Sequence, residues 1–103
     1  MPKVVTVFRN RLGAEAGPEY GSTLSRMREL AKGMPGYLSH KTFVAEDGER
    51  CTIVEFESEE ALRGWATHPE HVDAKRAGRD RFYDEYSVQL CTVTRESAFR
   101  RKG

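Results

Sequence analysis

The chain has 103 residues, enough for one domain with a modest core, and domains of this size often gain burial by associating. Its 17 basic and 16 acidic residues leave a formal charge of +1, which excludes the strong basic excess expected of a nucleic-acid-binding protein. No apolar run is long enough to span a bilayer, so neither nucleic acid nor membrane is expected as a partner.

The opening MPKVVTVF runs straight into an alternating pattern and lacks the layout of a signal peptide, so a cytoplasmic location is expected. Residues 3–12 (KVVTVFRNRL) read as a strand. One face carries Val4, Thr6, Phe8, Asn10 and Leu12; the other carries Val5, Val7, Arg9 and Arg11. Asn10 is the amide on an otherwise mostly apolar face, and a buried amide needs partners. Residues 13–17 form a loop, and Pro18 suits the first turn of a helix. Tyr20, Leu24, Met27 and Leu30 recur at helical spacing until Gly33, Pro35 and Gly36 end the helix.

Residues 37–45 (YLSHKTFVA) form a second strand and 50–57 (RCTIVEFE) a third, joined by a hairpin turn around Asp47-Gly48. Ser58 is the expected N-cap of the next helix, with Glu59 and Glu60 at its positive end and Leu62, Trp65 and Ala66 on its apolar side. Pro69 breaks that helix at His68 and starts another segment, in which Val72, Lys75, Arg79 and Phe82 keep helical spacing. Gly78 weakens its continuity. Residues 85–95 (EYSVQLCTVTR) form the last strand, and Arg100-Arg101-Lys102 reads as a solvated end. Cys51 and Cys91 lie in strand patterns without CxxC or metal-ligand spacing and are read as small buried hydrophobes with no disulfide.

The order β-α-β-β-α-β is that of a ferredoxin-like α+β domain: a four-stranded antiparallel sheet with helices on one face, spanning 1–103 as a single domain. Val5, Val7, Cys51, Ile53, Cys91 and Val93 put apolar side chains on the face the helices leave bare. A second copy packed sheet to sheet would cover them, so a homodimer is expected.

The residues themselves exclude several chemistries. There is no phosphate-binding glycine motif, no nucleophile elbow and no metal-ligand set; His68 and His71 stand three apart across Pro69, with Glu70 and Asp73 as the nearest other donors. What remains is an apolar cleft. Asn10 comes from the first strand, Trp65, His68 and His71 from the second helical stretch, and Phe82, Tyr83 and Tyr86 from the approach to the last strand. Such a set suits a flat aromatic ligand held by few directional contacts; the same aromatics would equally serve as core.

The stretches VFRNRL, MPGYLSHKTF and VEFESEEALRGWATHPEHVDAKRAGRDRFYDEYSVQLCTVTR resemble the antibiotic biosynthesis monooxygenase domain of the dimeric α+β barrel superfamily over roughly residues 3–95. The W-x-x-HPEH-x-x-A-x-x-x-G-R block is the most specific part of the resemblance. It implies a homodimeric barrel with a cleft between helices and sheet in each copy. It also implies oxygenation of a small quinol- or anthrone-like aromatic by O₂ with no metal, flavin or other cofactor. Asn10 would then donate to the substrate oxyanion, Trp65 would wall the substrate, and His68 or His71, with imidazoles titrating near neutrality, would be the base. Other members of the superfamily degrade haem and share the Asn-Arg-Leu of residues 10–12 and the helix Trp. Their haem-ligating His falls about ten residues after that Trp, where this chain has Lys75, so haem is the secondary implication.

Overall fold

The computed structural model describes residues 2–102. The elements are β1 (Val4–Leu12), α1 (Gly17–Lys32), β2 (Tyr37–Val44), β3 (Arg50–Phe56), α2 (Glu59–Ala66), α3 (Pro69–Ala77), a π turn (Gly78–Phe82) and β4 (Tyr83–Thr92). All strand pairs are antiparallel, in the order β2-β3-β1-β4. This is the ferredoxin-like α+β arrangement.

Local chemistry sets the boundaries. Ser58 caps α2, its hydroxyl accepting from the Ala61 amide at 3.1 Å. Pro69 ends α2's run, and His68 caps α3 by accepting the Glu70 amide on Nδ1 at 3.1 Å. The hairpin turn takes Gly48 at φ +91°, a conformation that suits glycine. Gly36, at φ +82°, sits so close to α2 that an added Cβ would lie 2.5 Å from the Ala61 Cβ. The last strand starts two residues earlier than the sequence pattern suggests, at Tyr83, because the helical stretch after Gly78 closes as a π turn. It also ends earlier, at Thr92.

Register fixes which side chains face the helices. Val4 stands opposite Phe56 and Thr92, Thr6 opposite Val54 and Leu90, Phe8 opposite Thr52 and Val88, and Asn10 opposite Arg50 and Tyr86. Directly opposed residues share a face, so this set forms the helix side. Val4, Phe56, Trp65 and Ala31 make the core there, with Met27, Leu30, Met34 and Leu62 packed on it. A bulge between Arg11 and Leu12 shifts the pairing with β4. It breaks the two-residue alternation, so that Tyr83 and Tyr86, three apart, both reach Phe8.

The opposite face carries Val5, Val7, Phe43, Cys51, Ile53 and Cys91, with no helix of the described residues packed over it. The cysteines therefore differ from expectation. Both are free; Cys51 is half-buried and Cys91 exposed, because each points to that uncovered side. The described tail after β4 has no regular secondary structure and is mostly exposed, with Phe99 82% accessible.

Candidate active site

The candidate residues fall into two groups on the helix side of the sheet. The first lies at the end of β1 marked by Asn10. Asn10 is only 3% exposed, yet its Oδ1 has no hydrogen-bond partner. Thr6 Oγ1 and Arg50 Nε are buried and equally unpartnered. Around them Phe8, Tyr20, Tyr83 and Tyr86 meet edge to face, with ring centroids 5.4–5.9 Å apart. Burial pushes the Tyr83 hydroxyl above its ordinary range, and neighbouring Tyr20 adds to the effect, so Tyr83 stays a neutral phenol. The Tyr86 hydroxyl accepts from Arg79 Nε at 3.4 Å. Phe82 is 2% exposed and packs against Tyr20 at 5.5 Å, a core contact that supports the ring cluster from behind. An open cleft of about 360 Å³ reaches this end of the sheet, walled by Leu12, Val44, Asp47, Arg50 and Asp84. Asn10 is not on its wall.

The second group is Trp65, His68 and His71. Trp65 is 6% exposed and sits in the core cluster with Val4 and Phe56. His71 lies flat on it, with centroids 4.1 Å apart and planes 11° from parallel. His71 Nδ1 is 3.1 Å from the Trp65 carbonyl oxygen. A carbonyl only accepts, so Nδ1 carries the proton and Nε2 is left bare. Desolvation pulls the His71 pKa down to about 4, against the opposing pull of the Trp65 carbonyl. The expectation that this imidazole titrates near neutrality is therefore corrected: burial holds it neutral. His68 spends Nδ1 on the α3 cap, which leaves the proton on Nε2 while that cap is made.

Among the described residues no hydrogen bond or ring contact joins Asn10 to Trp65, His68 or His71.

Thr6, Phe8, Tyr20 and Arg50 were not singled out from the sequence. Only strand register reveals that Arg50 opposes Asn10. A third imidazole, His40, shares a 2.5 Å hydrogen bond with the Tyr37 hydroxyl, and burial lowers its pKa. No three His, Cys, Asp or Glu side chains among the described residues are grouped to hold a metal ion, and no helix there is long and apolar enough to cross a membrane.

Comparison with known proteins bears on this geometry. The family model described as antibiotic biosynthesis monooxygenase matches residues 3–77, short of the 3–95 over which the motifs resemble it. The uncharacterized protein YqjZ of Bacillus subtilis is 32% identical over 99 residues, covering 96% of this chain and 87% of YqjZ. The crystal structure of SnoaB, a cofactor-independent oxygenase from Streptomyces nogalater, superposes with a TM-score of 0.76 at 19% identity, covering 93% of this chain and 97% of SnoaB. Rv0793 from Mycobacterium tuberculosis superposes with a TM-score of 0.80 at 16% identity, covering 93% and 99%.

Proposed function

The chain belongs to the antibiotic biosynthesis monooxygenase family, and on that premise we propose that it is a cofactor-independent monooxygenase, working with O₂ on a small aromatic of the quinol or anthrone type. The observation that carries this reading is Asn10: a buried amide whose oxygen has no partner, beside a cluster of aromatic rings. Leaving a buried polar atom unpaired costs about 1–3 kcal/mol. A guest with a hydroxyl on a flat ring would supply the missing donor. The description of SnoaB as a cofactor-independent oxygenase is in keeping with this reading.

The chemistry requires little of the protein. An ionised phenol or enol can pass one electron to O₂, so the substrate supplies the reducing power. Oxidation of a ring methylene by O₂ to a ring carbonyl and water balances without an external reductant. Asn10 would accept the substrate hydroxyl through Oδ1, or donate from its amide nitrogen to the oxyanion once that proton has left. Phe8, Tyr83 and Tyr86 would hold the ring and exclude water. His71, neutral with Nε2 bare, would take the proton of the substrate hydroxyl. Its depressed pKa makes it a weak base, suited to a substrate whose anion Asn10 already stabilises. His68 serves the fold as the cap of α3.

Haem fits these residues poorly. At the position of the superfamily's ligand, Lys75 Nζ instead donates to the Ala66 carbonyl at 2.9 Å. His71 is stacked flat on Trp65 and would have to leave that contact to reach iron.

The working unit would be a homodimer joined through the uncovered sheet face. Val5, Val7, Cys51, Ile53 and Cys91 form an apolar band there, flanked by the Arg9–Glu49 and Lys3–Glu55 ion pairs at 2.7 and 3.1 Å. An apolar centre with a charged rim is the usual layout of a protein interface.

The test is O₂ uptake with a panel of reduced naphthoquinols and anthrones, without added metal. Turnover of at least one compound well above the buffer rate is expected. A flat response across the panel would remove the oxygenase reading and leave a non-catalytic ligand-binding barrel.

A further inference from the structure

The helix side of the sheet holds an arginine whose Nε is buried without an acceptor among the described residues. Arg50 opens β3 directly opposite Asn10. Its Nε is buried with no acceptor, and no carboxylate among the described residues forms an ion pair with it. The guanidinium is a planar fork of N–H donors with no acceptor of its own. Burying that N–H costs stability unless an acceptor meets it.

Two acids share the cleft with Arg50, and neither is its partner. Asp47 is held by Arg11, which reaches its carboxylate at 2.7 Å and its carbonyl at 3.1 Å. Asp84 lies against Gly13, where an added Cβ would stand 2.7 Å from Oδ1. The Arg50 guanidinium carbon is 5.8 Å from the Tyr20 ring centroid, so the charge is seated beside the aromatic cluster. The orphaned Nε belongs to the guanidinium edge that pairs side-on with an anionic group through two parallel N–H donors.

We propose that Arg50 is a specificity-determining residue: it takes an anionic oxygen, carboxylate or ionised phenol, carried by an aromatic ligand held against the Tyr20–Tyr83 ring cluster beside Asn10. Anionic aromatics are then preferred over neutral ones of the same shape. The inference rests on the reading that an aromatic ligand binds beside Asn10 and those rings. A ligand without an anionic oxygen would leave the side-on guanidinium edge of Arg50 without a charged acceptor. Asn10, opposite Arg50 on the neighbouring strand, offers its unpartnered Oδ1 to a hydroxyl on the same ligand.

The experiment measures calorimetric binding at pH 7 to two matched pairs. The carboxylate pair is 2-naphthoate and 2-naphthamide. The phenolate pair is 2,4-dinitro-1-naphthol, ionised at this pH, and its methyl ether. The wild-type chain is expected to bind the anion of at least one pair about tenfold or more tighter than its neutral partner. Which pair shows the preference identifies the source of the anionic oxygen. Arg50→Gln should abolish the preference, and Arg50→Lys, which keeps charge but not the planar fork, should retain part of it. If Arg50→Gln fails to fold, the reduced preference of Arg50→Lys at unchanged Tm carries the test. Equal binding within both pairs, no binding of any compound, or a preference unchanged in the variants would overturn the assignment. O₂ uptake separates this from the oxygenase reading. Anion preference without uptake keeps Arg50's role and removes the oxygenase; uptake of neutral quinols without anion preference does the reverse.

Discussion

His71 is stacked 4.1 Å from the Trp65 ring while its Nδ1 donates to the carbonyl of the same residue at 3.1 Å. One residue of α2 therefore fixes both the plane and the tautomer of an imidazole on α3. The break at His68-Pro69 makes this possible, because it lets α3 turn back so that His71 covers Trp65. The cost is a histidine buried in its neutral form.

That cost predicts a pH dependence of stability. Unfolded, His71 titrates near 6.5; folded, near 4. Between those values the unfolded chain binds more protons, so stability falls as the pH drops from about 6.5 toward 4 and levels off below. The gap corresponds to roughly 3 kcal/mol at most. Urea unfolding at pH 7 and pH 4.5 should show a clear loss for the wild type and a smaller one for His71→Phe, which keeps the stack but cannot titrate. His40, also lowered, would account for part of the residual slope.

The two histidines near Trp65 should separate by mutation. His68→Asn keeps an N-cap acceptor for α3, so Tm and turnover should stay within about twofold or a degree or two of the wild type. His68→Ala should lose about 1 kcal/mol of stability with turnover per folded molecule unchanged. A collapse of turnover in folded His68→Asn would show that the imidazole takes part in the chemistry.

The uncovered sheet face should be an interface. Light scattering should give a mass of twice the 11.7 kDa chain at micromolar concentration. Val7 and Ile53 stand opposite each other on that face. Val7→Glu or Ile53→Glu should yield a monomer or an aggregate, because a charge there meets the apolar band of the second copy. A wild-type monomer would refute this assembly.

The pattern of the sequence shows the order of elements well, because the two-residue and helical periods change where Pro18, Gly33, Asp47-Gly48 and Ser58 say they should. It shows the neighbours of Asn10 poorly. That Arg50 opposes Asn10 depends on pairing between β1 and β3, residues forty apart, which no local pattern encodes. That Tyr83 and Tyr86 face the same way depends on a bulge and a π turn, both of which break the periods on which such reading relies. Cys91 is exposed in the single chain because it lies on the bare side of the sheet, the side for which the strand pattern predicts cover from a second copy.

Asn10 is where the account is most exposed. The decisive measurement is the turnover number for O₂ uptake with the best anthrone or quinol, in wild type and Asn10→Ala, alongside Tm. The account predicts a loss of about one hundredfold or more in turnover, as for removal of an oxyanion donor. It also predicts a Tm that is unchanged or higher, since an unpaired buried amide has been removed. Equal turnover in the two proteins, or a loss that merely follows a fall in Tm, would contradict it.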